Sequence, residues 1–312
     1  MKITVILCTY NRCQNLPTAL ESVAASVLPR SVDWEVLVVD NNSKDETREV
    51  VEEFCRRYPD RFRYLFEPQQ GLSRARNAGV REARGDVLAF VDDDVMVEPA
   101  WLQNLTASLS DDRWAGAGGR IVLQWPSPIP KWLTTDGPYA RHGFPGFDQG
   151  PIAKELDGPP FGTNMAFRRT MFEKYGYFRT DLGRCANGMM SSEDTEFGGR
   201  LISAGERLRY EPSAVVFHPV PEAKINKQHF LKWWFDKGRS DARQFQLSPV
   251  HLSGSLLAWT LRWAVAGEPA MRFYRKLVVW EKCGMLVEWC TNHSTRRKLE
   301  GASKTEIRGS EP

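Results

Sequence analysis

Apolar residues follow two periods along the first 92 positions. Residues 3–8 (ITVILC) form an unbroken, largely β-branched run that ends at the polar TYNR, which predicts a buried strand and a loop. Leu16, Leu20, Val23 and Ala24 then recur at helical spacing, with Asn15 as a candidate cap and Pro17 in the first turn, predicting a helix over 15–25. Residues 36–39 (VLVV) predict a second buried strand that stops at Asp40. DETREVVEEFCRRY (45–58) is an amphipathic helix with acids early and arginines late, the order that the helix dipole favours. FRYLFE (62–67) predicts a third strand and SRARNAGVREA (73–83) a further helix. Residues 87–91 (VLAFV) predict a fourth strand, which delivers Asp92, Asp93 and Asp94.

Strands alternating with helices at this spacing imply crossover connections and an α/β fold with a mainly parallel central sheet flanked by helices. Ligands in such sheets bind beyond the carboxyl ends of the strands. CTYN, VDNNS and VDDDV therefore belong to one edge. All 24 glycines lie at position 71 or later, so no glycine-rich loop follows the first strand. That excludes a P-loop and the dinucleotide fingerprint, and leaves any nucleotide to be held by side chains.

Between residues 126 and 160 the texture changes, because 8 of the 19 prolines fall there. Long irregular connections inside compact domains are commonly lids or binding loops. GTNMAFRRTMF (162–172) returns to strand and then helix, SSEDTEFGGRLISAG (191–205) predicts a helix with Gly205 near its end, and LRYEPSAVVFHPV (208–220) a strand. Beyond it come HFLKWWFDKGRSDARQF and two apolar-aromatic helical segments, 256–265 and 273–289. The expected division is a catalytic domain over 1–222 and a helical C-terminal extension over 223–312, with a frayed tail from about 294.

Composition narrows the function classes. With 42 basic and 39 acidic residues in 312, the net charge of +3 supplies no global field for wrapping nucleic acid. The six cysteines show no paired CxxC spacing and read as reduced thiols. The N-terminal apolar run is too short for a signal peptide, and no window approaches the ~20 apolar residues of a spanning helix. The expected location is the cytoplasm, with peripheral attachment at the inner face of the membrane left open. Two readings stand for the aromatic C-terminal region: a helical cap on the catalytic domain, or an interfacial surface, since from His251 onward ten basic residues face six acidic ones beside Trp, Phe and Leu.

Three adjacent carboxylates repel one another unless a cation lies among them. Carboxylates one residue apart at a strand end can face a hard divalent ion, which typically also takes substrate phosphates. The other reading is a solvated acidic turn. VILCTYNR, VLVVDNNSKDET, GLSRARNAGVREARGDVLAFVDDDV, GTNMAFRR and SSEDTEFGGRLISAG, in this order and spacing across roughly residues 1 to 220, resemble the family 2 glycosyltransferases with the GT-A fold.

The resemblance implies inverting transfer of a sugar from a nucleotide-diphosphate donor, UDP being the favoured nucleotide, to a carbohydrate or lipid-linked hydroxyl acceptor, with Mg²⁺ or Mn²⁺. It implies that Asp40 reads the nucleobase, against the alternative of a turn aspartate opening DNNS. Thr9 and Asn11 would line the same pocket, unless Asn11 serves its own turn. Asp92 would meet the ribose or sugar and Asp94 would ligate the metal, with Asp93 grouped with the donor-binding residues although its side chain is expected to point the other way. His218 would complete the metal site or be structural. Asp194 would be the general base, with Glu193 positioning acceptor or donor sugar, against the alternative that both cap a helix N-terminus. Arg74, Arg76 and Asn77 lie near the nucleotide, with Arg74 and Asn77 assigned to donor binding and one arginine of the two expected in solvent; Lys237 and Arg239 could close over the diphosphate. Two rival classes are a sugar nucleotidyltransferase, which usually carries a glycine-rich basic loop absent here, and a non-catalytic nucleotide-sugar binding protein, which would have no use for Glu193 and Asp194.

Overall fold

The computed structural model describes residues 1–135, 140, 143–185, 188–245 and 248–308, with side chains through 291, so the tail expected to fray from about 294 lies outside the described side chains. The chain groups into two compact units: Met1–Ser127, Phe144–Asn187 and Ser192–Glu222 form one, and Pro128–Gly143, Gly188–Ser191 and Ala223–Pro312 the other.

The first unit opens with β1 (Lys2–Thr9), α1 (Leu16–Ala24), β2 (Asp33–Asp40), α2 (Thr47–Arg57), β3 (Phe62–Phe66), α3 (Leu72–Glu82) and β4 (Val87–Asp92). It continues with β5 (Met96–Val97), α4 (Trp101–Ala107), β6 (Gly116–Gln124), β7 (Lys154–Glu155), β8 (Asn164–Arg168), α5 (Arg169–Tyr175), α6 (Glu193–Ser203) and β9 (Leu208–Pro219). The strands build one sheet in the order β3-β2-β1-β4-β8-β6-β9-β5, with β7 on β9. The four strands β3, β2, β1 and β4 are parallel, as the helix-strand alternation implies. Beyond β4 the sheet becomes mixed, because no crossover helix precedes β8 and the chain returns antiparallel to both β4 and β6.

The strand period sorts the core into two layers. Ile3, Val5, Leu7, Val36, Val38, Val87, Ala89 and Val91 pack with Leu16, Leu20, Phe54 and Trp101 on one face. Ile6, Leu37, Val39, Leu88 and Phe90 pack with Ala75, Ala78, Phe172, Phe197 and Leu201 on the other. Each Val, Leu, Ile or Phe among them contributes about 1.5–3 kcal/mol when fully buried.

β6 has no counterpart in the apolar pattern, because its first half is the run GAGG. Close packing explains those glycines: a Cβ at Gly116 would collide with Phe167, and one at Gly119 with Ala214 and Asn164. Asn164 is itself fully buried, accepting from Trp101 Nε1 at 2.8 Å and donating to the carbonyls of Arg120 and Ala214 at 3.0 and 2.8 Å. It fastens the start of β8 to its neighbours.

In the second unit α7 (Lys227–Gln244), α8 (Pro249–Ala264) and α9 (Pro269–Arg308) follow one another. Asn226 caps α7 by accepting from His229 N at 2.8 Å. Gly238 and Gly284 let α7 and α9 touch, since a Cβ at either would strike the opposite backbone. The fully buried Glu288 accepts from Arg239 at 2.8 Å and Arg243 at 2.6 Å. Lys237 pairs with Asp241.

Candidate active site

The carboxyl ends of β1, β2 and β4 come level, with Thr9 in register with Asp40 and Cys8 with Asp92. Val91 pairs with Asn164, so the antiparallel β8 brings its first residues to the same edge. Thr163, just ahead of β8, donates its hydroxyl to Asp92 Oδ2 at 2.6 Å.

Arg76 is the hub of the acidic residues. It lies on the face of α3 that carries Ala75, Ala78 and Gly79 against the sheet, and is 3% exposed. Its guanidinium donates to Glu193 Oε1 at 2.5 Å and to Asp92 Oδ1 at 3.4 Å. A buried charge requires such partners, because desolvation is otherwise prohibitive. Gly162 gives the guanidinium its space, since a Cβ there would overlap it. Burial, with the neighbouring Asp194 charge, raises the Glu193 carboxyl to about 7 despite Arg76. Its second oxygen, Oε2, is buried with no hydrogen-bond partner among the described residues. Burial and the nearby Asp92, Asp93 and Glu193 also hold the Cys8 thiol protonated, at about 12, against the opposing pull of Arg76.

Asp93 is buried, and that burial together with the Asp94 charge pushes its carboxyl up to about 7, with Arg12 opposing. Asp94 accepts from Arg12 Nη2 at 3.4 Å and faces His218 Nε2 at 3.7 Å. The strand register produces this meeting: β5 begins two residues after Asp94, and its Met96 pairs with Phe217, next to His218. His218 Nδ1 lies 3.1 Å from the Pro219 carbonyl oxygen, which can only accept, so in the neutral ring the proton is on Nδ1 and the Nε2 lone pair faces Asp94. A carboxylate oxygen and an imidazole lone pair turned toward each other fit a divalent cation. Among the described residues no group of three or more His, Cys, Asp or Glu surrounds one point.

Asp194 lies in the first turn of α6, where Oδ2 accepts from Gly162 N at 2.6 Å and Oδ1 from Thr195 N at 2.7 Å. The Thr195 contact occupies one of the free N–H groups of the helix's first turn, while the Gly162 contact ties the carboxylate to the segment that also holds Asp92. Ser192, which precedes α6, has φ +81°, a left-handed conformation uncommon for serine.

On the β2 side, Asp40 is buried and accepts from Ser43 N and Tyr64 Oη, both at 2.9 Å. Thr9 is buried beside it. Asn11 has φ +51° and its side-chain oxygen accepts from Lys44 N at 2.7 Å, joining the loops after β1 and β2. Asn77 exchanges both amide groups with the Phe178 backbone at 2.9 and 3.0 Å. Arg74 donates to Gln69 at 2.5 Å and lines a recess of about 200 Å³ with Glu67, Asn77, Arg81 and Thr180. Arg12, Gly162 and Thr163 carried no assignment from the sequence. Small residues flank Arg74 as well as Arg76, so the sequence held no sign of which arginine faces inward.

A mixed sheet with acidic residues at its carboxyl edge is the arrangement expected of a GT-A glycosyltransferase fold, and the comparisons with known proteins agree. The glycosyl transferase family 2 model matches residues 4–176, and the chain belongs to that family, whose members transfer with inversion. It is 27% identical over 229 residues to the glycosyltransferase AglE of Haloferax volcanii, covering 73% of this chain and 70% of that protein. It is 28% identical over 268 residues to the succinoglycan biosynthesis protein ExoM of Rhizobium meliloti, covering 86% and 81%. The glucosyl-dolichyl phosphate glucuronosyltransferase of Haloferax volcanii is 28% identical over 229 residues, covering 71% and 70%. Among solved structures, the mannosyltransferase PcManGT from Pyrobaculum calidifontis, in complex with GDP-Man and Mn²⁺, superposes with TM-score 0.57 at 18% identity, over 98% of this chain and 80% of that one. TarS 1-349 from S. aureus in complex with UDP gives 0.52 at 17%, over 96% and 92%.

Proposed function

We propose that Asp194 is the general base of a cation-assisted sugar transfer, and that Asp94 and His218 hold the cation. The observation that carries this reading is Arg76, which joins Asp92 at the end of β4 to Glu193 at the start of α6 in one buried network. A bound Mg²⁺ or Mn²⁺ would supply Lewis-acid neutralisation of charge growing on the leaving diphosphate. Asp92 orients the donor while Thr163 and Arg76 fix its two oxygens. Asp194, held by two backbone N–H groups, takes the proton of the attacking hydroxyl as the new glycosidic bond forms. Glu193 positions the sugar beside it, and Asp40 with Thr9 receives the base.

UDP is the donor nucleotide we assign, although the superposable enzymes were solved with either GDP-Man or UDP. The acceptor is a carbohydrate or lipid-linked hydroxyl, in keeping with relatives named for succinoglycan biosynthesis and for glucosyl-dolichyl phosphate. A thermal-shift screen of UDP, GDP and dTDP with and without Mn²⁺ tests the donor half. Binding at a hundredfold excess over Kd adds about 2.7 kcal/mol to stability. Melting curves that no nucleotide moves in the presence of Mn²⁺ would dismiss the assignment.

A further inference from the structure

Helix α8 is apolar on two opposite faces. Leu252 is buried and Leu256, Trp259 and Trp263 are half-buried against α9, where Trp259 meets Tyr274 and Trp263 meets Trp280 edge-on at 6.3 and 6.2 Å. On the other side Val250, Leu257 and Leu261 are 77%, 63% and 61% exposed, and Val265, just past the helix, is 80% exposed. At 3.6 residues per turn these positions and Gly254 fall on one stripe. A helix apolar all round is ordinarily enclosed on both sides. Here α9 covers only one.

The chemistry around the stripe indicates what covers the other. α8 contains no acidic residue. The Ser253 and Thr260 hydroxyls turn back onto the carbonyls of Pro249 and Leu256, at 2.9 and 2.8 Å, and so present no free donor outward. Arg262 stacks over Trp259 at 4.9 Å, and Lys276 lies 5.6 and 5.0 Å over Trp263 and Trp280. Between positions 249 and 280 the only acid is Glu268, against Arg262, Arg272, Arg275 and Lys276. With 16 residues, α8 is about 24 Å long, short of the ~30 Å hydrocarbon core. Among the described residues no helix is long and apolar enough to cross a membrane.

We propose that α8 is a membrane-docking helix, lying in the interface of an anionic bilayer with Val250, Leu257, Leu261 and Val265 in the acyl boundary and Arg262 and Lys276 at the phosphates. Bare apolar side chains on one face, cations stacked on the tryptophans of the other, and no acid on α8 to repel lipid phosphate suit that occupant over an acidic protein surface. The inference goes beyond the transfer reaction and holds whatever the acceptor.

Flotation of the full chain with phosphatidylcholine vesicles, with and without phosphatidylglycerol, tests it. The protein should rise with the anionic vesicles. Leu257→Gln with Leu261→Gln should reduce that binding at least about tenfold, from lost apolar burial, while leaving the melting temperature in place because both side chains are exposed. Arg262→Gln should weaken anionic binding about fivefold, near the value of one interfacial cation, and leave neutral binding unchanged. Wild-type protein that stays with neither vesicle, or a double variant that floats equally, overturns the proposal. So does a wild-type dimer that never floats and that the double variant dissociates, for a second copy would then cover the stripe.

Discussion

The guanidinium of Arg76 meets Glu193 at 2.5 Å across 117 positions of sequence, with both side chains about 4% exposed. Removing one member of such a pair leaves a buried charge unmatched. Arg76→Ala should therefore cost about 3–5 kcal/mol in urea unfolding. Arg76→Lys should restore only part, since an ammonium cannot span Glu193 and Asp92 as the planar fork does. Wild-type stability in Arg76→Ala would refute the structural weight assigned to this contact.

Asp194→Asn preserves size and keeps one of the two backbone hydrogen bonds, at its retained oxygen, yet removes the proton acceptor. Turnover should fall roughly 10²–10⁴-fold, the usual contribution of a general base, with nucleotide affinity close to wild type. Calorimetry beside steady-state rates separates the two, and a variant that turns over normally returns Asp194 to a capping role.

His218→Ala should weaken Mn²⁺-dependent nucleotide binding by about tenfold or more while leaving metal-free binding unchanged. His218→Gln should recover only part of the lost binding, because an amide oxygen can ligate a hard cation but does not reproduce the imidazole nitrogen. Titrations of UDP with and without Mn²⁺ give the comparison, and equal Mn²⁺ enhancement in all three proteins would exclude ligation.

Gly162→Ala places a methyl group where the Arg76 guanidinium lies. Overpacking of this kind costs about 1–3 kcal/mol, and it should also lower activity by moving the segment that carries the Asp194 and Asp92 contacts. Its loss should shrink in an Arg76→Ala background, a coupling that a double-mutant cycle measures; strict additivity would show that the two sites do not touch.

The raised Glu193 carboxyl links folding to pH. Its folded value of about 7 lies above the ordinary range near 4.3, so the native state holds a proton that the unfolded chain has released. That contribution is complete below the unfolded value and disappears as pH rises through about 7. Glu193→Gln should flatten the decline in melting temperature over this window. An unchanged slope would mean that Glu193 does not carry it.

The alternating half of the sheet was legible because its strands are buried on both faces and its helices keep one apolar side. β6 was not, since GAGG lacks the side chains by which strands are recognised and is explained only by the neighbours that would otherwise collide. Within the site, Asp92 and Asp94 stand out from position alone, at the end of an apolar run. Arg74 and Arg76 differ by two residues and one helix face, and only packing reveals that one bonds Gln69 and the other the carboxylates. Asn77, assigned to the donor, has its amide occupied by the Phe178 backbone. Lys237 and Arg239 likewise have carboxylate partners, Asp241 on the same helix for one, and Asp236 on the same helix with Glu288 on α9 for the other.

The reversed direction of β8 has a mutational corollary. Forward strands offer their last residues to the reaction edge, whereas β8 offers its first, so whatever precedes it feeds straight into the chemistry. Substitutions in that preceding stretch therefore act directly on the Asp92 and Arg76 side chains, through Thr163 and Gly162.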